Sequence, residues 1–379
     1  MSHSLRNVTG DLSTIAPTYV TGPESYPPLL LRGLDSLYVS YYVDFLSSQV
    51  DWDDLAYRKE KIGRERRNKF DEILLGSERF ALQPYGKHPY KFVLSNAAFK
   101  IQLSERMQPS CYVQFYSEAL WVEGRDLLTA RFRHWVGSIG ASFIKPETVS
   151  RADWAFDFGV PERDFEREHF VSRATKDASW REHQAEQTIQ FGTGDVVLRV
   201  YDKVAEIDQQ SDKAWFFDLW GQKTGVWRVE FQVRGERLKM GAIHTMDDLT
   251  SLEADLLREL ATNHTTLRKP SGDSNRSRWP RHPLWIALLD AISSMSQTGL
   301  IQDIDPLAAI DLRLDRSSKA TLGYLKNIGA MIQLRDKLDE PPSLETVIAT
   351  LPKLLRRHHN EIIWNDDIAR KVKGYELGQ

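Results

Sequence analysis

The chain has 379 residues, 41% hydrophobic and 27% charged, enough apolar content for a sizeable core. A formal net charge of −3 gives no global attraction for a polyanion, so a nucleic-acid surface would have to come from local clustering. The single cysteine, Cys111, excludes an internal disulfide and a cysteine-rich zinc site. No apolar run approaches the ~18 residues of a membrane span, so no membrane partner is expected and the cytoplasm is the default location.

Residues 1–33 are expected to be a flexible N-terminal tail, rich in Ser, Thr, Gly and Pro up to Pro27-Pro28. Leu34 to Phe45 then alternates as a strand through Leu37, Val39, Tyr41 and Val43, with Asp35 near its start. Residues 51–75 read as a helix crowded with basic side chains, among them Arg64, Arg66, Arg67 and Lys69. These are candidates for DNA contacts, with a solvated helix face as the alternative. Strands follow at Tyr90–Leu94, Ala98–Leu103 and Cys111–Tyr116, then a helix over Gly124–Ile139 and a strand at 151–158. A helix near Pro161–Thr175 and strands at 188–191, 196–202 and 227–234 complete this part. The fold class expected is α+β, an antiparallel-rich central sheet with flanking helices.

Beyond about residue 245 the pattern turns helical. Thr250 to Glu253 reads as a capping box, and further helices are expected near 284–296, 318–338 and 343–359. The basic linker 268–282 carries Arg276 and Arg278, further candidates for phosphate contacts. The division expected is a catalytic region over 34–245 and a helical C-terminal region over 246–379, serving DNA specificity or oligomerisation.

Three strands carry unusual polar faces. In Arg151-Ala-Asp-Trp-Ala-Phe-Asp-Phe158, alternation puts Asp153 and Asp157 opposite Trp154, Phe156 and Phe158. In Trp227-Arg-Val-Glu-Phe-Gln-Val-Arg234, Glu230 shares a face with Arg228 and Gln232. In Val196-Val-Leu-Arg-Val-Tyr-Asp-Lys203, Arg199, Tyr201 and Lys203 are expected on one face. A phenol between two cations suits a nucleophile, a phosphate clamp or a core position. Adjacent hard oxygen ligands from Asp153, Asp157 and Glu230 would favour Mg²⁺ or Mn²⁺. Tyrosine needs a neighbouring cation or base to act as a nucleophile, and Lys203 or Arg199 would stabilise the charge that develops on a phosphodiester.

At these residues the chain resembles the replication initiators of staphylococcal-type rolling-circle plasmids, a family that includes relaxases of some conjugative elements. The family reads Arg-Leu-Asp-Leu-Ala-Phe-Asp-Phe, then Phe-Gly, Arg-Ile-Tyr-Asn-Lys-Lys-Gln-Glu and Trp-Arg-Val-Glu. Here the order is Arg151 to Phe158, Phe191-Gly192, Arg199 to Glu206 and Trp227 to Glu230. The resemblance implies an HUH-nickase-like fold and a metal-dependent nickase and strand transferase. Tyr201 would attack an origin phosphodiester, keep a 5′-phosphotyrosyl link and leave a free 3′-OH. Asp153, Asp157 and Glu230 stand where the family has acids that hold the metal. The implied partners are origin or oriT DNA, as a single-stranded or hairpin nick site, a host helicase and a second copy of the chain. One family strand reads Val-Glu-Phe where this chain has Val113-Gln114-Phe115. That neutral Gln114 motivates an alternative, a non-cleaving DNA-binding regulator. A hydrolase pairing Asp153 with Asp157 is a third reading.

Overall fold

The computed structural model describes residues 26–64, 70–182, 185–211, 213–297, 306–356 and 358–376. The first half contains β1 (Leu29–Asp44), α1 (Trp52–Arg64), β2 (Asp71–Leu75), β3 (Glu78–Leu82), β4 (Phe92–Ser95), β5 (Phe99–Leu103) and β6 (Cys111–Phe115), followed by α2 (Ser117–Val122) and α3 (Arg125–Ser138). Next come β7 (Ser142–Gly159), β8 (Phe170–Ser172), β9 (Asp177–Glu182), β10 (Ala185–Phe191), β11 (Val196–Asp202), α4 (Lys203–Gln210), α5 (Phe216–Trp220) and β12 (Val226–Arg234). The remainder is α6 (Gly235–Met240), α7 (Met246–Glu259), β13 (Thr265–Leu267), α8 (Pro283–Ser293), α9 (Pro306–Asp336), α10 (Leu344–Leu355) and α11 (Glu361–Glu376).

Eleven strands form one antiparallel sheet in the order β2-β3-β4-β5-β6-β1-β7-β12-β11-β10-β9, and β13 pairs with β8 in a small second sheet. The architecture is therefore α+β with an antiparallel sheet and flanking helices, as expected. Its axis is the long pair β1–β7, in register from Leu29↔Phe158 to Asp44↔Ser142 with several bulges.

Period-two alternation explains the layers. One face carries Leu37, Val39 and Tyr41 of β1, Trp154, Phe156 and Phe158 of β7, and Val229, Phe231 and Val233 of β12, all buried. These pack into one apolar cluster with Phe132 and Trp135 of α3, Leu249 and Leu257 of α7, and Trp285 and Leu288 of α8. Each such side chain contributes about 1.5–3 kcal/mol of burial. The core thus continues past residue 245, the break read from the sequence. The opposite face is polar, and one end of it is capped by a smaller cluster of Ile207, Phe216, Trp220 and Val226 with Trp121 packed against it.

Several expected elements differ. The helix read over 51–75 ends at Arg64, and 71–75 is strand β2, paired with β3 across a turn at Gly76. Residues 161–175 hold a 3₁₀ turn and β8 in place of a helix. Helix α7 starts a turn earlier than the Thr250 box, because Thr245 and Asp248 cap it reciprocally. Strand β1 begins at Leu29, inside the expected tail, whose residues 1–25 lie outside the described residues.

Candidate active site

The polar faces of β7, β12 and β11 are neighbours, because β12 pairs with both of the others. Register places Arg228 opposite both Asp157 and Tyr201, and Glu230 opposite Arg199. The hairpin that brings β11 into this register turns at Gly192, at φ 86°, where a Cβ would stand 2.3 Å from the Val196 carbonyl oxygen.

Tyr201 is buried, and its hydroxyl donates to Glu230 Oε2 at 2.8 Å. Arg199 Nη1 donates to the other oxygen, Oε1, at 2.8 Å, while its Nε donates to Gln190 Oε1 at 3.0 Å. Burial, and then the Glu230 charge, push the Tyr201 phenol well above its ordinary value, so the resting hydroxyl is protonated and aimed at a carboxylate. Lys203 is not on the strand as expected. β11 ends at Asp202, whose carboxylate caps α4 by accepting from Val204 N and Ala205 N at 3.0 Å, and Lys203 opens that helix. Its ammonium lies 5.7 Å from the Tyr201 ring centroid and 2.5 Å from Glu206 Oε2. Burial, with Arg228 adding to it, lowers the Lys203 pKa.

Behind this group lies an ion network that the sequence reading left unassigned. Arg228, fully buried, donates from Nε to Asp157 Oδ1 at 2.6 Å and from Nη2 to Asp157 Oδ2 at 2.8 Å. Its Nη1 donates to Asp35 Oδ1 at 3.0 Å, and Trp220 Nε1 donates to Asp157 Oδ2 at 2.9 Å. Asp35 also accepts from Ser117 Oγ at 2.9 Å and Trp121 Nε1 at 3.0 Å, with Lys213 Nζ at 3.6 Å. Burial raises the Asp35 carboxyl, but Arg228, Lys213 and Lys203 outweigh it and hold it well below the usual range.

The three acids expected to bind a metal share this face, yet each already faces an arginine. Asp157 is held by Arg228, Glu230 by Arg199, and Asp153 by Arg151, whose Nε reaches Oδ1 at 2.8 Å and Oδ2 at 3.1 Å. Burial raises the Asp153 carboxyl to about 6 despite Arg151, and Glu230 adds to the rise. Among the described residues, no three His, Cys, Asp or Glu side chains are grouped to hold an ion. In this arrangement the expected Mg²⁺ or Mn²⁺ ligand set does not fit, since its oxygens are occupied by guanidinium, indole and phenol donors.

Of the expected DNA-contact residues, the described ones, Arg64, Arg276 and Arg278, make their contacts away from Tyr201. Arg64, at the end of α1, pairs with Glu60, and Arg66, Arg67 and Lys69 lie outside the described residues. Arg276 Nη1 donates to the Glu168 carbonyl at 2.7 Å, and Arg278 lies 3.9 Å from Asp273; both belong to a short turn in the linker. Gln114 sits on the polar face between Tyr38 of β1 and Lys100 of β5. No described helix is long and apolar enough to cross a membrane.

No protein-family profile matches the chain. No curated protein matches it either. Among solved structures, the chain is similar to the rolling circle replication initiator protein from Geobacillus stearothermophilus. The identity is 17%, over 70% of this chain and 97% of that one, with a TM-score of 0.41.

Proposed function

We propose that the chain nicks DNA and transfers the cut strand through Tyr201, to initiate rolling-circle replication or conjugative transfer of a mobile element. The observation that carries this reading is the Tyr201 hydroxyl held at 2.8 Å from Glu230 Oε2, with Arg199 fixing the other carboxylate oxygen. A phenol becomes a competent nucleophile when a positioned base takes its proton in the transition state. The Tyr201 oxygen attacks phosphorus and its proton passes to Glu230. A new P–O bond forms to the tyrosine, and the 3′ oxygen leaves with its bonding pair and takes a proton from water. Lys203 supplies positive charge beside the phosphoryl oxygens, while Arg199 holds the Glu230 carboxylate in place. The motifs that resemble plasmid initiators lie on these same strands, β7, β11 and β12.

The test is incubation of the full chain, with and without Mn²⁺, with supercoiled plasmid carrying the DNA that flanks its own coding sequence. The products are then separated in SDS and the linked residue mapped. A nick with its 5′ phosphate on Tyr201 is the result expected; an adduct that persists in Tyr201→Phe refutes the nucleophile.

A second reading, a DNA-binding regulator that does not cleave, draws on the pairing of all three acids with arginines and on the burial of Tyr201. Retarded DNA migration with no adduct under any divalent ion is its signature.

A further inference from the structure

The polar face does not end at Tyr201. On one side of it, the half-buried rings of Tyr90, Tyr112 and Tyr38 follow one another across β6 and β1, with centroids 6.3 Å and 5.9 Å apart. The Arg151 guanidinium lies 5.0 Å over the Tyr38 ring and joins this row to Asp153. Exposed Arg234 stands opposite Arg151 in register, and Lys100 lies opposite Gln114 on the next strand. On the other side, register runs from Tyr201 to Thr188 of β10 and on to Trp180 of β9, whose indole is 50% exposed. The face therefore carries aromatic rings on both sides of Tyr201 and cations between them.

Resting on the nicking reading, we propose that this face is a platform for single-stranded DNA, with Tyr90, Tyr112 and Tyr38 stacking bases on one side of the scissile phosphate and Trp180 on the other. Bases stack on aromatic side chains whatever their identity, while cations track the backbone. A duplex, with its bases already stacked internally, offers such rings nothing comparable. Charge agrees with this occupant. Burial pushes the Tyr90 phenol up to about 12 and raises Tyr38 and Tyr112, so all three stay neutral beside a polyanion. Arg151, Arg234 and Lys100 give the row the local positive charge that the −3 net charge of the chain lacks. Gln114, in register between Tyr38 and Lys100, adds no negative charge to this row.

The experiment measures binding of fluorescein-labelled dT20 to the full chain by anisotropy, with an unlabelled duplex as competitor. Tyr112→Leu, Tyr38→Leu and Trp180→Leu are each expected to weaken binding by about 5- to 150-fold, the range of one stacked base. Tyr112→Phe and Tyr38→Phe keep the ring and should stay within about threefold of wild type. That rescue separates stacking from misfolding, and circular dichroism of the leucine variants checks the fold. Failure of the wild-type chain to bind dT20, equal binding by the leucine and phenylalanine variants, or equally effective competition by duplex overturns the proposal. Adduct formation is read in a separate reaction. Ring-dependent binding with no adduct sinks only the nicking reading, and an adduct with ring-independent binding sinks only the platform.

Discussion

Arg228→Met tests the network beneath Tyr201. The substitution keeps most of the side-chain volume but leaves Asp157, at 0% exposure, without its two guanidinium bonds. Among the described residues, Asp157 then retains only Trp220 Nε1, while Asp35 still has Ser117, Trp121 and Lys213. Removing one partner of a buried pair costs about 3–5 kcal/mol, because the remaining charge stays desolvated. Set against a total stability of about 5–15 kcal/mol, that is a large fraction. The variant should unfold at markedly lower urea, followed by tryptophan fluorescence, to which Trp121 and Trp220 report from within the network. Adding Asp157→Leu removes the stranded charge, and replacing both partners by apolar groups is often close to neutral. The double variant should therefore recover most of the loss. Strictly additive costs, or an Arg228→Met protein within about 1 kcal/mol of wild type, would refute the assignment of Asp157 to Arg228.

Three further outcomes follow from the geometry. Glu230→Gln should lower the rate of Tyr201 adduct formation by about 10²- to 10⁴-fold, the usual contribution of a positioned base; an unchanged single-turnover rate would remove Glu230 from that role. Asp153 binds its proton up to about pH 6 in the folded chain, against 3.8 unfolded. The native state thus holds more protons than the unfolded one between pH 4 and 6, and stability falls as pH rises through that window. Asp153→Asn should remove this dependence and add about 1–3 kcal/mol above pH 7 but little at pH 4, read from urea midpoints at both pH values. Gly192→Ala forces a Cβ onto the Val196 carbonyl at φ 86° and should cost about 1–3 kcal/mol, measured as a lower melting temperature with the adduct site intact.

Much of the sheet was legible because alternation is strong where one face is fully apolar. β1, β5, β6 and β12 sit close to where Leu37–Val43, Phe99–Leu103, Cys111–Phe115 and Trp227–Val233 alternate, and β11 lies on the β-branched apolar run that begins at Val196. The hairpin β2–β3 was hidden because Glu72, Leu74 and Arg79 make both of its strands irregular in polarity and because it follows a basic helix. The segment at 161–175 contains enough Glu, Arg and Phe to imitate a helix, yet Phe165 and Phe170 pack against Trp227 and Trp285 as parts of a loop and a short strand. At the site, the residue types were visible but their pairing was not. Arg228 and Asp157 are 71 positions apart, and only strand register places them opposite each other. Asp35 was visible only as a charge near a strand start; its partners come from α2 and the α4–α5 connection, which no local pattern links to β1.

The pairing also decides between the chemical readings. A hydrolase built on Asp153 and Asp157 needs both carboxyls free to exchange protons with a substrate, and Arg228 encloses one while Arg151 clamps the other. Glu230 differs from both: one of its oxygens answers to a cation and the other to the hydroxyl of Tyr201. It is thus the acid of this face already joined to a group that can form a covalent bond. Arg199 matters for the same reason, since it fixes Glu230 from the side away from the phenol and leaves Oε2 directed at Tyr201. If Arg199 is a positioning residue, Arg199→Lys should slow adduct formation chiefly in the chemical step, by releasing the carboxylate from its fixed orientation, and should leave dT20 affinity nearly unchanged. A loss confined to DNA affinity would make Arg199 a phosphate clamp instead.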